Sequence, residues 1–332
     1  MKIQKTHFVI IIYINSISII YYLLLILRNQ ESQIHQHPMI NRIQFKFAAI
    51  LLIGTVLLAF RADTAYEQEI REWKKSRVEG LKSENGWLNL VGLLWLEEGE
   101  NTFGGSPDND IIFPKEKSDA SLGKIILKDG KVTLAANKDA AIFHDTTPVT
   151  NLEIFPSKEP IVLSHKSLRW FVIQRGDKYA LRVRDLESQQ VKHFKNIASY
   201  PIQMRWKVKA KFEATNGRKI AITDITGRTA DQDSPGKLVF NIKDKEYQLD
   251  VIGADGDLFI IFGDETNKKH TYGAGRYLYA PLPDKDGNTY LDFNKAINPP
   301  CAFTPYATCP LPPKQNNLAV AITAGEKKYA EH

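Results

Sequence analysis

The sequence predicts a mainly β protein: two packed β-sandwich or barrel parts, preceded by one amphipathic helix and an N-terminal apolar segment. Three observations carry that prediction. The long charge-free apolar runs are confined to the first 62 of 332 residues. One stretch after them has a helical period. From Asn85 onward, short stretches rich in Val, Ile, Leu, Tyr and Phe alternate with Gly, Asn and Asp turn signals, the spacing of an all-β sandwich or barrel. Hydrophobic content of 43% and charged content of 25% are ordinary for a folded chain.

The N-terminal segment, residues 1–62, holds two apolar runs. Phe8–Leu27, about 20 residues without charge, is long enough to span a bilayer. Phe47–Phe60 has the length of a signal-peptide core. Met39 opens MINRIQFKFAAILLIGTVLLAFRA, which reads as a complete secretory signal with Arg42 and Lys46, an apolar core and then Ala62. Phe60 is large for the −3 position of a cut after Ala62. No cysteine lies nearby, which excludes lipoprotein processing. We expect Met39 to be the true start and residues 1–38 a mistranslated upstream extension. The rival expectation is two membrane helices, or one anchor plus a core segment. Under both, the rest of the chain is exported to the periplasm or cell surface, and the membrane is met through the N-terminal segment only.

Charge supports the same division. The net charge is +6. Residues 1–62 contribute Lys2, Lys5, Arg28, Arg42, Lys46 and Arg61 against Glu31. Removing those six bases and one acid leaves 38 basic and 37 acidic residues. The balanced remainder gives no electrostatic case for a nucleic-acid partner.

Residues 63–84 are expected to form the helix. Asp63 or Thr64 caps it, and Ile70, Trp73, Arg77 and Leu81 fall at helical spacing. Residues 85–155 are expected to form a small β-sandwich. Gly86–Leu96 is apolar, and Asp129-Gly130 joins two strands as a hairpin. The order Gly104-Gly105-Ser106, Asp108-Asn109-Asp110-Ile111 and hairpin resembles the opening of a forkhead-associated domain. That resemblance implies a sandwich shape but not phosphopeptide binding: Gly105 stands at the arginine position, and Ser121-Leu122-Gly123-Lys124 lacks the histidine.

A proline-marked loop places a boundary near residue 160, and residues 160–328 are expected to form a larger β domain. Strands are expected at Leu168–Gln174 and Tyr179–Arg184, turned at Gly176-Asp177. In the second, Leu181 and Val183 face one side, Arg182 and Arg184 the other. Further strands, Trp206–Ala214, Lys219–Asp224, Lys237–Ile242, Tyr247–Val251 and Leu258–Phe262, are separated by turn signals at Thr215-Asn216-Gly217, Lys243-Asp244-Lys245 and 254–257.

Asp264–Pro313 concentrates the special residues. It holds both cysteines and 8 of the 16 prolines. Arg276, beside Gly273 and Gly275, has the chemistry to grip a carboxylate or phosphate through two parallel hydrogen bonds. It equally suits an internal salt bridge to Asp264 or Asp292. Asp264, Tyr272, Arg276, Asp292, Asn294 and Asn298 are the candidate ligand-binding residues. Asn and Asp have the alternative role of capping a backbone with few ladder bonds. Cys301 and Cys309 are expected to form a disulfide in an exported protein. A catalytic thiol with His270 as base is the competing role. No histidine or second cysteine pair stands at metal-ligand spacing, no nucleophile elbow is present, and no cofactor is expected.

These motifs carry a second resemblance. Gly86–Gly104, Gln174–Asp185, Asp264–Pro283 and Leu291–Lys327 are similar to the bacterial domain-of-unknown-function family 1684, over about residues 70–328. The string Asp292-Phe293-Asn294, then Asn298-Pro299-Pro300-Cys301-Ala302-Phe303, then Cys309-Pro310-Leu311-Pro312-Pro313, is long and specific. The resemblance implies a domain outline and no activity. The polar residues it marks are Arg175, Asp177, Arg182, Arg184, Asp185, Asp264, Thr271, Tyr272, Arg276, Asp292, Asn294, Asn298, Cys301, Cys309 and Asn316 or Asn317. The expected function is binding of a small anionic or glycan-like ligand around residues 264–298. The alternatives are a hydrolase with Asp264 and Asp292 as acid and base, or a structural envelope protein.

Overall fold

A computed structural model describes residues 64–329. The expectations for residues 1–62 lie outside the described residues. Among the described residues no helix is long and apolar enough to cross a membrane.

The chain is mainly β, as its alternating pattern predicts. A helix, α1, covers residues 64–82. It is followed by β1 (Leu90–Trp95), β2 (Gly99–Gly104), β3 (Ile111–Ile112), β4 (Gly123–Lys128), β5 (Lys131–Ala136), β6 (Phe143–His144), β7 (Thr147–Pro148), β8 (Asn151–Phe155), β9 (Leu163–His165), β10 (Leu168–Arg175) and β11 (Lys178–Asp185). A short helix α2 (Gln189–His193) leads to β12 (Lys207–Thr223), β13 (Thr229–Ile242), β14 (Lys245–Asp250), β15 (Ala254–Asp255), β16 (Asp257–Asp264), β17 (Arg276–Ala280), β18 (Asn288–Asp292) and β19 (Asn317–Leu318).

Two sheets make the first lobe. One runs β3-β2-β4-β5-β8, the other β1-β11-β10-β9-β6-β7. Phe103, Ile125 and Leu134 of the first sheet meet Trp170, Leu181 and Val183 of the second in one core. Phe113 and Trp170 cross edge to face at 5.2 Å, a favourable aromatic geometry. The sandwich is therefore larger than expected. Strands β9 to β11, assigned from sequence to the second part, complete the first, because Leu181 and Val183 turn inward onto its core. The lobe ends near Asp185 and not near residue 160.

The second lobe packs β14-β13-β12-β18 against β15-β16-β17, with β19 added parallel to β16. Its core gathers Leu238, Phe240, Leu249, Ile260, Phe262, Leu278 and Phe293. The expected turn at Thr215-Asn216-Gly217 is not a reversal. It is a bulge between Ala214 and Arg218 in one long strand. The reversal comes at Asp224–Arg228, where Asp224 Oδ1 accepts from the amides of Thr226 and Arg228, an Asx-type turn.

Several expected turns take a left-handed backbone. Asp129 and Gly130 have φ of 51° and 77°, and Lys243 and Asp244 have 50° and 62°. These left-handed pairs suit a two-residue hairpin. Helix α1 buries Ile70 and Leu81, and Trp73 packs beside Ile261 and Tyr277 of the second lobe. Both lobes belong to one compact unit, joined where Thr304 Oγ1 donates to the Leu90 carbonyl at 3.0 Å.

Candidate functional site

The residues expected to bind a ligand form a buried polar network. Arg276 is fully buried. Its Nη2 meets Asp264 Oδ2 at 2.7 Å and also donates to the Ile322 carbonyl at 3.1 Å. Its Nη1 donates to the Ala324 carbonyl. Asp264 Oδ1 accepts from the amides of Thr266 and Ile322. Gly275 has φ +86°, and a Cβ there would lie 2.4 Å from Pro312 and 2.7 Å from the Phe262 carbonyl. That glycine permits close packing of the proline loop, and no ligand space is involved. Among the described residues, the internal salt bridge to Asp264 is thus what engages Arg276.

Asp292, Asn294 and Asn298 belong to the seat of α1. The Tyr66 hydroxyl donates to Asp292 at 2.8 Å, and Asn294 Nδ2 donates to the Tyr66 oxygen at 2.9 Å. Burial, then the Asp292 carboxylate, pushes the Tyr66 hydroxyl well above the ordinary tyrosine range. The Asn298 amide donates to Glu326 Oε2 at 2.6 Å, and Arg77 Nε meets Glu326 Oε1 at 3.2 Å. Burial pushes the Glu326 carboxyl up, with Arg77 and the Asn298 amide offsetting it only in part. Asp264 and Asp292 are both buried and engaged by other groups, which leaves neither poised as an open general acid or base.

Cys301 and Cys309 are free thiols in this structure, and both are buried. They adjoin: the Cys301 amide donates to Cys309 Sγ at 2.9 Å. The shared thiol hydrogen bond lowers Cys301 and raises Cys309, and the Tyr272 hydroxyl also favours a Cys301 thiolate. Burial and the thiols push Tyr272 upward. Among the described residues no cluster of three or more His, Cys, Asp or Glu forms a metal site.

The open chemistry lies elsewhere, where the lobes meet. Arg182 and Arg184 project from the face of β11 opposite the sandwich core and are only 8% and 7% exposed. Their guanidinium carbons sit 5.6 and 5.8 Å from the centre of the Trp87 ring, within cation–π range. Arg184 also donates to Asn89 Oδ1 at 2.8 Å and to the Gly86 carbonyl. Among the described residues no carboxylate pairs with Arg182, and its Nε is buried without a partner. Burial first, then the charges of Arg175 and Arg184, push its guanidinium down to about 10.

Arg175 closes β10 at the mouth of this region. Its Nε donates to Thr308 Oγ1 at 3.3 Å, from the residue before Cys309. Arg228, from the β12–β13 turn, comes close to Gly176 in the β10–β11 turn. Arg175, Arg228, Asp224 and Thr308 line two adjoining cavities of about 790 and 370 Å³, the size range of small-molecule sites. Asp224 Oδ1 accepts within its own turn, and among the described residues no salt bridge joins Asp224 to either arginine. The Cys309 carbonyl accepts from the Ile225 amide at 2.9 Å, which ties the cysteine loop to the same turn.

The structure therefore brings Tyr272, Cys301 and Cys309 to the back of the arginine cluster. It leaves Asp264, Arg276, Asp292, Asn294 and Asn298 in the lobe interior. Arg175 and Arg182 stand out in the sequence through the family motif alone. Arg228 and Thr308 carry no sequence signal beyond a turn and a neighbouring cysteine.

The residues 192–327 match the family model described as a protein of unknown function, DUF1684. The solution NMR structure of an uncharacterized protein from Haloarcula marismortui is similar at 29% identity, over 43% of this chain and 82% of that one, with a TM-score of 0.36. No curated protein matches the chain.

Proposed function

Residues 192–327 carry a DUF1684 domain, and from that premise we propose that the domain and the preceding sandwich together bind a small anion between them. The observation that carries this reading is Arg182. A guanidinium this buried costs several kcal/mol unless an opposite charge compensates it. Among the described residues no carboxylate does so, and only the Cys309 thiol acts in that direction. Two further arginines stand beside it instead, of which Arg175 opens onto a ligand-sized cavity. A phosphate or carboxylate between Arg175 and Arg228 would supply the missing charge through charge-assisted hydrogen bonds. This reading keeps the anionic ligand expected from sequence and moves it from Arg276 to Arg175.

The test is thermal unfolding and titration calorimetry of the full chain with inorganic phosphate. Phosphate should raise the melting temperature of the wild type. Arg182→Met should leave the ligand-free protein as stable as before or more stable, since a buried unpaired charge is exchanged for apolar volume. The same variant, and Arg175→Gln, should weaken phosphate binding by about 1.5–3 kcal/mol. If Arg182→Met destabilises the free protein by several kcal/mol and phosphate leaves the wild type unmoved, the anion reading fails.

We also infer export, from the N-terminal signal-like stretch, and pairing of Cys301 with Cys309 in an oxidising compartment. The adjacency of the two thiols supports the second. An alkaline phosphatase fusion after residue 85 should be active in cells, and mass spectrometry of the native protein should find the two cysteines bridged. An inactive fusion or two free thiols would count against these inferences respectively.

A further inference from the structure

The larger cavity carries more than the arginine pair. We propose that its ligand is an anionic saccharide, a sugar bearing a phosphate or a carboxylate. This rests on the anion-binding reading above. Trp95, at the end of β1, is 42% exposed and lines the cavity of about 790 Å³. A large aromatic ring left in contact with water inside a cleft offers a flat apolar face to an amphipathic partner. The C–H face of a pyranose ring is such a partner, because its hydroxyls project from the edge.

The other walls suit those hydroxyls. Glu97, Glu98 and Asp177 line the same cavity, and all three are exposed. No salt bridge engages them among the described residues. Glu98 gives one oxygen to the Asp129 amide at 3.1 Å. An ionised carboxylate only accepts hydrogen bonds, and a sugar hydroxyl is a neutral donor. Glu97 and Glu98 follow Trp95 in the chain, while Arg228 approaches Gly176 beside Arg175, and this pairing of hydroxyl acceptors with the tryptophan and of cations with the β10–β11 turn suits a polarised ligand. Its neutral, hydroxyl-rich body lies toward Trp95, and its anion lies toward the arginines. A simple dianion without a body would fill only the arginine end, and a wholly neutral sugar would leave the arginines uncompensated.

Titration calorimetry of the full chain tests this with glucose 6-phosphate, glucuronate, glucose and inorganic phosphate. One or both anionic sugars should bind at least about tenfold more tightly than phosphate and than glucose. The phosphate and carboxylate arms identify which anion is taken. Trp95→Ala should collapse the affinity ratio of the better sugar over phosphate to near unity. If phosphate binds as well as both anionic sugars, or Trp95→Ala leaves the ratio intact, the saccharide inference is overturned and the anion site stands. Glucose binding as tightly as its anionic forms would also overturn it. If no anion binds at all, the underlying reading fails and takes this inference with it.

Discussion

Arg276→Ala is the substitution whose consequence the structure sets most sharply. The side chain is fully buried and holds Asp264 at 2.7 Å inside the second lobe. Truncation leaves a buried carboxylate without its counter-ion, which costs about 3–5 kcal/mol. The carbonyls of Ile322 and Ala324 also lose a donor, which puts the expected cost at the upper end of that range. For a chain of this order each kcal/mol moves the melting temperature by about 2–4 °C, so the expected drop is about 10–20 °C. Arg276→Lys keeps the charge but cannot reach one carboxylate and two carbonyls together, and should fall between the two. Urea unfolding and thermal melts followed by circular dichroism give both numbers. A loss below about 1 kcal/mol for Arg276→Ala would refute the assignment of this arginine to the interior.

Two further outcomes follow from the seat of the first helix. Tyr66→Phe removes the hydroxyl that Asp292 and Asn294 share while keeping the ring, and should cost about 1–3 kcal/mol in urea unfolding. Glu326 has its carboxyl raised by burial, so its protonated form favours the folded state. Its contribution to stability is complete below the ordinary glutamate range and is lost as pH rises through its elevated folded value. Denaturant midpoints taken from pH 4.5 upward should show that decline in the wild type, and Glu326→Gln should flatten it.

The sequence made the secondary structure legible wherever chemistry is local. Asp129-Gly130 and Gly176-Asp177 reverse the chain because Asp and Gly tolerate a left-handed backbone, whereas Lys243 takes one against its own preference. The spacing of Ile70 and Leu81 marks the buried stripe of the helix. Errors arose where one pattern serves two structures. Thr215-Asn216-Gly217 has turn chemistry, but pairing continues on both sides of it and makes it a bulge. Strands β10 and β11 alternate correctly, yet alternation does not say which core receives Leu181 and Val183. The two arginines differ for a related reason. Arg276 and Arg182 look alike in sequence. One finds Asp264 and carbonyls 46 and 48 residues further on, and the other finds two arginines and a tryptophan. Residue type announces the need for a partner, and only the fold decides whether the protein itself provides it.

The helix over residues 64–82 is bound to the far end of the chain. Tyr66 reaches Asp292 across 226 residues, Glu69 reaches Lys295 across the same distance, and Arg77 reaches Glu326 across 249. An isolated helix of this length is marginal in water. At about 5–20 residues per second, a ribosome needs on the order of ten seconds to a minute to make the segment that receives it. For that interval the contacts to Asp292, Lys295 and Glu326 are missing from the helix. The strands of the sandwich all precede that segment, the last of them ending at Asp185. The earliest described element of the chain is thus held by some of the latest.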